Sequence, residues 1–154
     1  MKRINIYTVK QVRESSMLYN IDTTSIDSPK TAAAIADKIF SLSEEAVEVF
    51  GILTLNSKNR VVGAHIISIG TLDTSIVHPR EVFKPAILNN AAQIIIFHNH
   101  PSGDPTPSKQ DIIVTQKLVE AGKLLGIKIL DHLVIGENDQ YCAFSEKGLL
   151  NHSQ

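Results

Sequence analysis

The stretch HNHPSGDPTPSKQD, residues 98–111, decides the fold prediction, because it joins a strand-like apolar run to a helix-like one. The letters QIIIF precede its two histidines, and in a strand residues i and i+2 point to the same side. His98 and His100 are therefore predicted to project together from the end of a strand that Pro101 terminates, while Asn99 points the other way. Two neutral imidazoles in that arrangement make a bidentate clamp for a transition metal.

The loop after the histidines, PSGDPTP, holds three prolines and one glycine, so it has few conformations to lose on folding. It leads to Ser108, which lies three residues ahead of Asp111. That spacing is also the spacing of an ordinary helix N-cap with an acidic residue in the first turn. The two roles are compatible, because the cap fixes where Asp111 points. Two histidines and Asp111 then give three protein ligands and an open fourth position, which is typical of a catalytic zinc site.

Strand and helix patterns alternate on both sides of this stretch. Ser28 offers an N-cap and Pro29 a first helical residue, which predicts a helix over residues 28–42. Pro85 predicts that a second helix is short or kinked, and Gly126 ends a third. The other elements are predicted as strands at 48–56, 61–70, 93–100, 127–136 and 141–144 and helices at 78–91 and 108–126.

This alternation predicts one α/β domain, with a mixed β-sheet and helices packed on it. We place the domain at residues 28–154 and an N-terminal extension at residues 1–27. Within the extension, INIYTV at residues 4–9 alternates like a short strand.

Composition narrows the class of protein. The chain has 154 residues, of which 43% are hydrophobic and 20% charged, as in an ordinary globular domain. Its 15 basic residues are matched by 16 acidic ones without a Lys/Arg cluster, so strong direct binding to nucleic acid is not expected. No apolar run is long enough to span a bilayer or to act as a signal peptide. Cys142, the single cysteine, is predicted to be a small buried hydrophobe and fits a reducing compartment, so the cytoplasm is expected.

The pattern H-x-H-x7-S-x-x-D, together with GTLDTSIVHPREVFKPAI upstream and DHLVIG downstream, resembles the RadC-type branch of the MPN/JAMM zinc metalloprotease-fold family. The resemblance covers residues 28–150. It implies a mixed sheet with flanking helices, similar to the fold of the cytidine deaminases. It also implies one zinc ion per chain, held by His98, His100 and Asp111, with Ser108 beside the bound water.

In that family a glutamate on an early strand completes the site, and the matching position here is Glu48 in EVFGILTL. Glu44 and Glu45 are neighbouring candidates, more typical of a helix end or a turn. A carboxylate beside zinc takes a proton from water and returns it to a leaving amine, and the resemblance assigns this role to Glu48. Ser108 would donate a hydrogen bond to the developing oxyanion.

The expected function is therefore zinc-dependent hydrolysis of amide or isopeptide bonds in a peptide or protein substrate. One alternative is a non-catalytic interaction module that keeps the fold in a DNA-repair or mobile-element context, although retention of Glu48 favours catalysis. A second alternative is a non-haem iron enzyme with two histidines and a carboxylate, to which the ligand order is less suited.

Longer RadC-type proteins carry a helix-hairpin-helix region, and residues 1–27 are too few to hold one. Any connection to DNA is thus expected to run through a protein.

The other histidines have simpler interpretations. His65 is predicted to be a packed or edge residue of a strand, and His78 a loop or helix-cap residue. His132 is interpreted as a hydrogen-bonded core histidine, with a role as partner of a metal ligand left open. His152 lies in the tail and carries no indication of function.

Overall fold

The computed structural model describes residues 2–8, 10, 12–13, 24–70 and 77–150. A 3₁₀ turn, Leu42–Glu44, follows the first helix. The helices and strands, in chain order, are α1 Pro29–Phe40, β1 Val49–Leu55, β2 Val61–Ile69, α2 Pro79–Leu88, β3 Gln93–Asn99, α3 Lys109–Leu125, β4 Lys128–Ile135 and β5 Tyr141–Ala143. The α/β class predicted from the sequence is thereby confirmed.

The strands form one mixed sheet in the order β2-β1-β3-β4-β5. Strand β1 runs antiparallel to β2 and to β3, whereas β3 and β4 are parallel and connected through α3. In register, Phe50 of β1 lies opposite His98 of β3, which lies opposite Val134 of β4. The start of β1 and the ends of β3 and β4 therefore meet at one end of the sheet, close to where α3 begins.

Helices cover both faces of the sheet, which explains why the central strands are apolar throughout rather than alternating. All seven residues of β1 are buried. Successive residues of β3 face opposite cores. The core under α1 contains Ala32, Ala36, Leu53, Leu55, Ile95, Phe97 and Leu133. The core under α2 and α3 contains Phe50, Ile52, Phe83, Ile94, Ile96 and Leu118.

Most helix boundaries follow the capping signals in the sequence. The Ser28 side chain accepts a hydrogen bond from the Thr31 amide at 3.2 Å, so α1 begins as predicted. Gly126 ends α3 in the left-handed conformation with φ 69°. The prediction of a second helix over residues 78–91 was too long, because α2 ends at Leu88, although the helix does continue past Pro85.

The strand predicted at residues 4–9 is wrong for the part that the structure describes. Residues 4–8 form neither strand nor helix, and residue 9 lies outside the described residues. Ile4, Ile6 and Tyr7 are all more than 80% exposed, at 88%, 95% and 81%, so their alternation has no core to face. Within the described residues, no helix has the length and apolar character needed to cross a membrane.

Candidate metal centre

The two histidines of the opening stretch converge at the end of β3. His98 is the penultimate residue of the strand and is fully buried, and His100 follows the strand in a hydrogen bond from its amide to the Ile135 carbonyl at 3.0 Å. Their Nε2 atoms lie 3.0 Å apart. The i, i+2 alternation in the sequence therefore brings the two imidazoles to one point.

Asp111 reaches the same point from the first turn of α3. The Ser108 hydroxyl accepts from the Asp111 amide at 3.1 Å, and the Ser108 amide donates to Asp111 Oδ2 at 2.7 Å, which together form a capping box. Asp111 Oδ1 lies 3.4 Å from Nε2 of His98, and its Oδ2 lies 3.4 Å from Nε2 of His100. The helix cap thus aims the carboxylate at both rings.

Glu48 approaches from the residue just before β1. Its Oε1 atom lies 4.0 Å from Nε2 of His98, and its side chain is 22% exposed. One ligand atom each from Glu48, His98, His100 and Asp111 lies within 4.8 Å of all the others, so the four side chains can hold a metal ion. Glu44 and Glu45 do not belong to this group.

A buried chain of hydrogen bonds determines which nitrogen of His98 carries its proton. The Thr115 hydroxyl donates to the Asp111 carbonyl at 2.6 Å, so it can only accept from Nδ1 of His132, at 2.5 Å. In neutral His132 the Nε2 atom is then an acceptor, and it takes the hydrogen bond of Nδ1 of His98 at 2.8 Å. His98 is left with a lone pair on Nε2, the atom that faces the centre.

His100 reaches the same state by a different contact. Its Nδ1 atom lies 2.8 Å from the Asp104 carbonyl, which can only accept, so Nδ1 is protonated. The Nε2 lone pair of the neutral ring therefore also points to the centre. Asp104 lies in the proline-rich loop, where its Oδ1 accepts from the Thr106 amide at 2.9 Å. The loop holds His100 through its backbone.

These donors fit a cation. Two imidazole lone pairs 3.0 Å apart, with a carboxylate 3.4 Å from each, repel unless positive charge lies between them. Without a metal a proton on His100 can supply that charge, and the hydrogen bond to Asp111 favours it by raising the pKa of His100 above its ordinary value. Burial opposes ionisation of Asp111, but the hydrogen bonds from His100 and from the Ser108 amide favour the carboxylate, and the pKa of the carboxyl is lowered. A divalent metal would replace the proton and satisfy all three groups.

His132 is the residue whose role as partner of a metal ligand the sequence analysis left open. It is 1% exposed, and burial holds its pKa well below the ordinary value, so it stays neutral beside His98. It is thus both a hydrogen-bonded core histidine and the hydrogen-bond partner of His98, one of the candidate metal ligands. Thr115 carried no signal of this role beyond its position one turn after Asp111 on α3. Only the fold brings β4 and α3 together around His98.

His65 and His78 lie apart from the cluster. His78 caps α2, where its Nδ1 atom accepts from the Arg80 amide at 3.0 Å, as predicted for a cap residue. His65 lies on the edge strand β2, half buried, with Nε2 2.6 Å from the Asn89 side-chain nitrogen, which confirms the packed or edge interpretation. His152 lies outside the described residues. Cys142 is buried, as expected, and burial raises the pKa of its thiol.

The mixed sheet and its Glu-His-His-Asp cluster agree with the family to which the sequence is similar. The model of the RadC-like JAB domain family matches residues 26–149, which is most of the chain. The chain belongs to this family.

Several relatives from other organisms carry the name UPF0758 protein. One from Methanosarcina barkeri is 45% identical over 132 residues, which cover 82% of this chain and 57% of the relative. One from Desulforamulus reducens is 54% identical over 103 residues, or 67% of this chain and 45% of the relative. A third, from Caldanaerobacter subterraneus, is 57% identical over 101 residues, which cover 66% of this chain and 43% of the relative. The chain spans about half the length of these curated relatives, and their names assign no activity.

Proposed function

We propose that this domain is a zinc-dependent hydrolase that cleaves amide or isopeptide bonds. The observation that carries the proposal is the position of the Glu48 carboxylate, 4.0 Å from the ring of His98, beside three groups suited to hold a metal. Three protein ligands leave one position open for water or substrate, as in catalytic rather than structural zinc sites. A base next to an open position is of no use to a purely structural metal.

The spacing of the ligand atoms suits a tetrahedral zinc ion. Two ligands about 2.0–2.1 Å from a tetrahedral zinc ion lie about 3.3–3.4 Å apart. Asp111 lies 3.4 Å from each histidine nitrogen, and the two nitrogens are 3.0 Å apart. Glu48 lies farther away, at 4.0 Å from His98, which suits a base better than a fourth ligand. The same two histidines and carboxylate would also accept iron, and metal analysis decides between them.

Each residue of the centre would have one task. Zinc held by His98, His100 and Asp111 would supply a Lewis acid that activates water. Glu48 would accept a proton at its carboxylate and return it to the nitrogen of the leaving amine. The Ser108 oxygen accepts from the Asp111 amide, so its own proton can be directed to a developing oxyanion.

The proposed substrate is a peptide or protein, and the proposed setting is the cytoplasm. The balance of 15 basic and 16 acidic residues supports the view that any link to DNA runs through a protein partner or protein substrate. A non-catalytic interaction module of the same fold would keep the sheet but would not need Glu48 beside the metal ligands.

The experiment is a peptidase screen with zinc-loaded protein against peptide and isopeptide libraries. We expect cleavage by the wild type and none by a His98→Ala/His100→Ala double variant. Elemental analysis of protein purified without added metal should show zinc in the wild type at one ion per chain. Absence of cleavage across the libraries at full zinc occupancy would favour the interaction module, and stoichiometric iron in place of zinc would favour a non-haem iron enzyme.

A further inference from the structure

Asn99, between the two histidines, makes a set of contacts on the other face of the sheet. It is the last residue of β3 and is 1% exposed. Its Oδ1 atom accepts from the Val49 amide at 2.7 Å. Its Nδ2 atom donates to the Val47 carbonyl at 3.0 Å and, more weakly, to the Glu45 carbonyl at 3.4 Å. One buried carboxamide thereby binds the backbone at three positions.

Those three positions lie on both sides of Glu48. The segment 45–48 is neither helix nor strand, and Val47 is 45% exposed, so apolar burial does little to hold it. The Glu48 carbonyl accepts from the Gly70 amide at 2.8 Å, which ties the same residue to the end of β2. Asn99 adds restraints on both sides of Glu48, and it does so from the strand end that presents His98 and His100.

We propose that Asn99 is a positioning residue that sets the Glu48 carboxylate at its working distance from the metal ligands. This inference rests on the proposed function, in which Glu48 is the base. Alternation along β3 sends His98 and His100 to the face under α3 and Asn99 to the face under α1. A single strand end therefore fixes both the metal ligands and the base, so that their separation does not depend on the exposed loop.

The task requires a side chain that accepts and donates at once, and a carboxamide does both. Asn99→Asp keeps the size and the acceptor for the Val49 amide, but it faces the Val47 carbonyl with a second acceptor. Asn99→Ser is too short to span the same contacts. Asn89→Ser is a matched control, because Asn89 also uses its carboxamide to bridge elements, donating to Thr54 at 2.7 Å near the far end of β1.

The first test is crystallographic and does not require hydrolysis. Zinc-loaded wild type, Asn99→Asp, Asn99→Ser and Asn89→Ser are compared for zinc content and for the distance from Glu48 Oε1 to His98 Nε2, which is 4.0 Å here. We expect one zinc ion per chain in all four proteins, and displacement of the Glu48 carboxylate by more than about 1 Å in both Asn99 variants only. An unmoved carboxylate in Asn99→Ser would overturn the proposal. So would failure of both Asn99 variants to fold while Asn89→Ser folds, because Asn99 would then be a folding residue.

The second test uses hydrolysis and a double-mutant cycle. If Asn99 acts through Glu48, Asn99→Ser lowers kcat by at least about tenfold with KM and zinc affinity nearly unchanged. Adding Glu48→Gln to Asn99→Ser then costs much less than Glu48→Gln costs in the wild type. Losses that simply multiply would contradict the proposal. If the wild type cleaves nothing, the proposed function fails, and the crystallographic test still decides whether Asn99 positions Glu48.

Discussion

Nε2 of His132 accepts a hydrogen bond from Nδ1 of His98 at 2.8 Å, in the interior between β4 and α3. This contact leaves the free lone pair of His98 facing the candidate metal centre. The hydrogen bond of His132 to the Thr115 hydroxyl sets the tautomer of His132 in turn. Partners of metal-bound histidines typically contribute 10- to 100-fold to metal affinity. The contact therefore leads to a prediction about metal binding that does not depend on the substrate.

Replacing His132 should weaken zinc binding without removing a ligand. We expect His132→Phe to lower zinc affinity by roughly 10- to 100-fold, because Nδ1 of His98 loses its acceptor. Competition against a chromophoric chelator measures the change. His65→Phe, on the edge strand, is the control and should bind zinc as the wild type does. Equal affinity in His132→Phe and wild type would show that the hydrogen bond does not organise the site.

Metal-free and zinc-loaded protein should respond to pH in opposite directions. The pKa of His100 is raised from 6.5 in the folded metal-free state by its hydrogen bond to Asp111. A raised folded pKa gives stability that is fully present below the unfolded pKa and is lost as pH rises through the folded value. The free energy of unfolding of EDTA-treated protein should therefore fall as pH rises above about 6.5.

Zinc affinity should rise over the same pH interval, because the metal competes with the proton on His100. Denaturant titrations at several pH values, with zinc and with EDTA, give both slopes. A His100→Asn variant should lose the downward slope of the metal-free protein. Parallel slopes in the two wild-type samples would contradict this account of the centre.

Chelation should lower thermal stability, because the metal links the end of β3 to the start of α3. Zinc at 100 times its dissociation constant adds about 2.7 kcal/mol to the free energy of unfolding. For a chain of this size that corresponds to a change in Tm of about 5–10 °C. Calorimetry before and after metal removal measures it, and an unchanged Tm would argue against a folded-state metal site.

The protein should not bind DNA directly. Its 15 basic and 16 acidic residues leave no net positive charge to neutralise several phosphates. Fluorescence anisotropy with single- and double-stranded DNA at near-physiological salt should show no micromolar binding. Tight binding that weakens as salt is added would reveal a basic surface that the residue count conceals.

The candidate metal ligands were predictable from the sequence where the residues concerned lie close together in the chain. Strand alternation places His98 with His100, and the cap spacing from Ser108 aims Asp111. Glu48 required the family resemblance, because its neighbourhood also contains Glu44 and Glu45 and its position depends on the pairing of β1 with β3.

The supporting contacts were not predictable, because they join residues far apart in the chain. His132 lies 34 residues from His98, and Val49 lies 50 residues from Asn99. Neither pair leaves a periodic trace in the sequence. Residues 4–8 show the opposite case, in which a pattern is present in the sequence but the structure is not. They alternate like a strand but form none, because the strand would have no apolar surface to cover.

The central claim is that Glu48 is the base beside a metal held by His98, His100 and Asp111. The most direct measurement is the rate at which Glu48→Gln, at full zinc occupancy, cleaves a substrate identified with the wild type. We expect one zinc ion per chain in both proteins and a loss of kcat of at least about 100-fold in the variant, since an amide cannot accept the proton. Cleavage by Glu48→Gln at the wild-type rate would contradict the central claim.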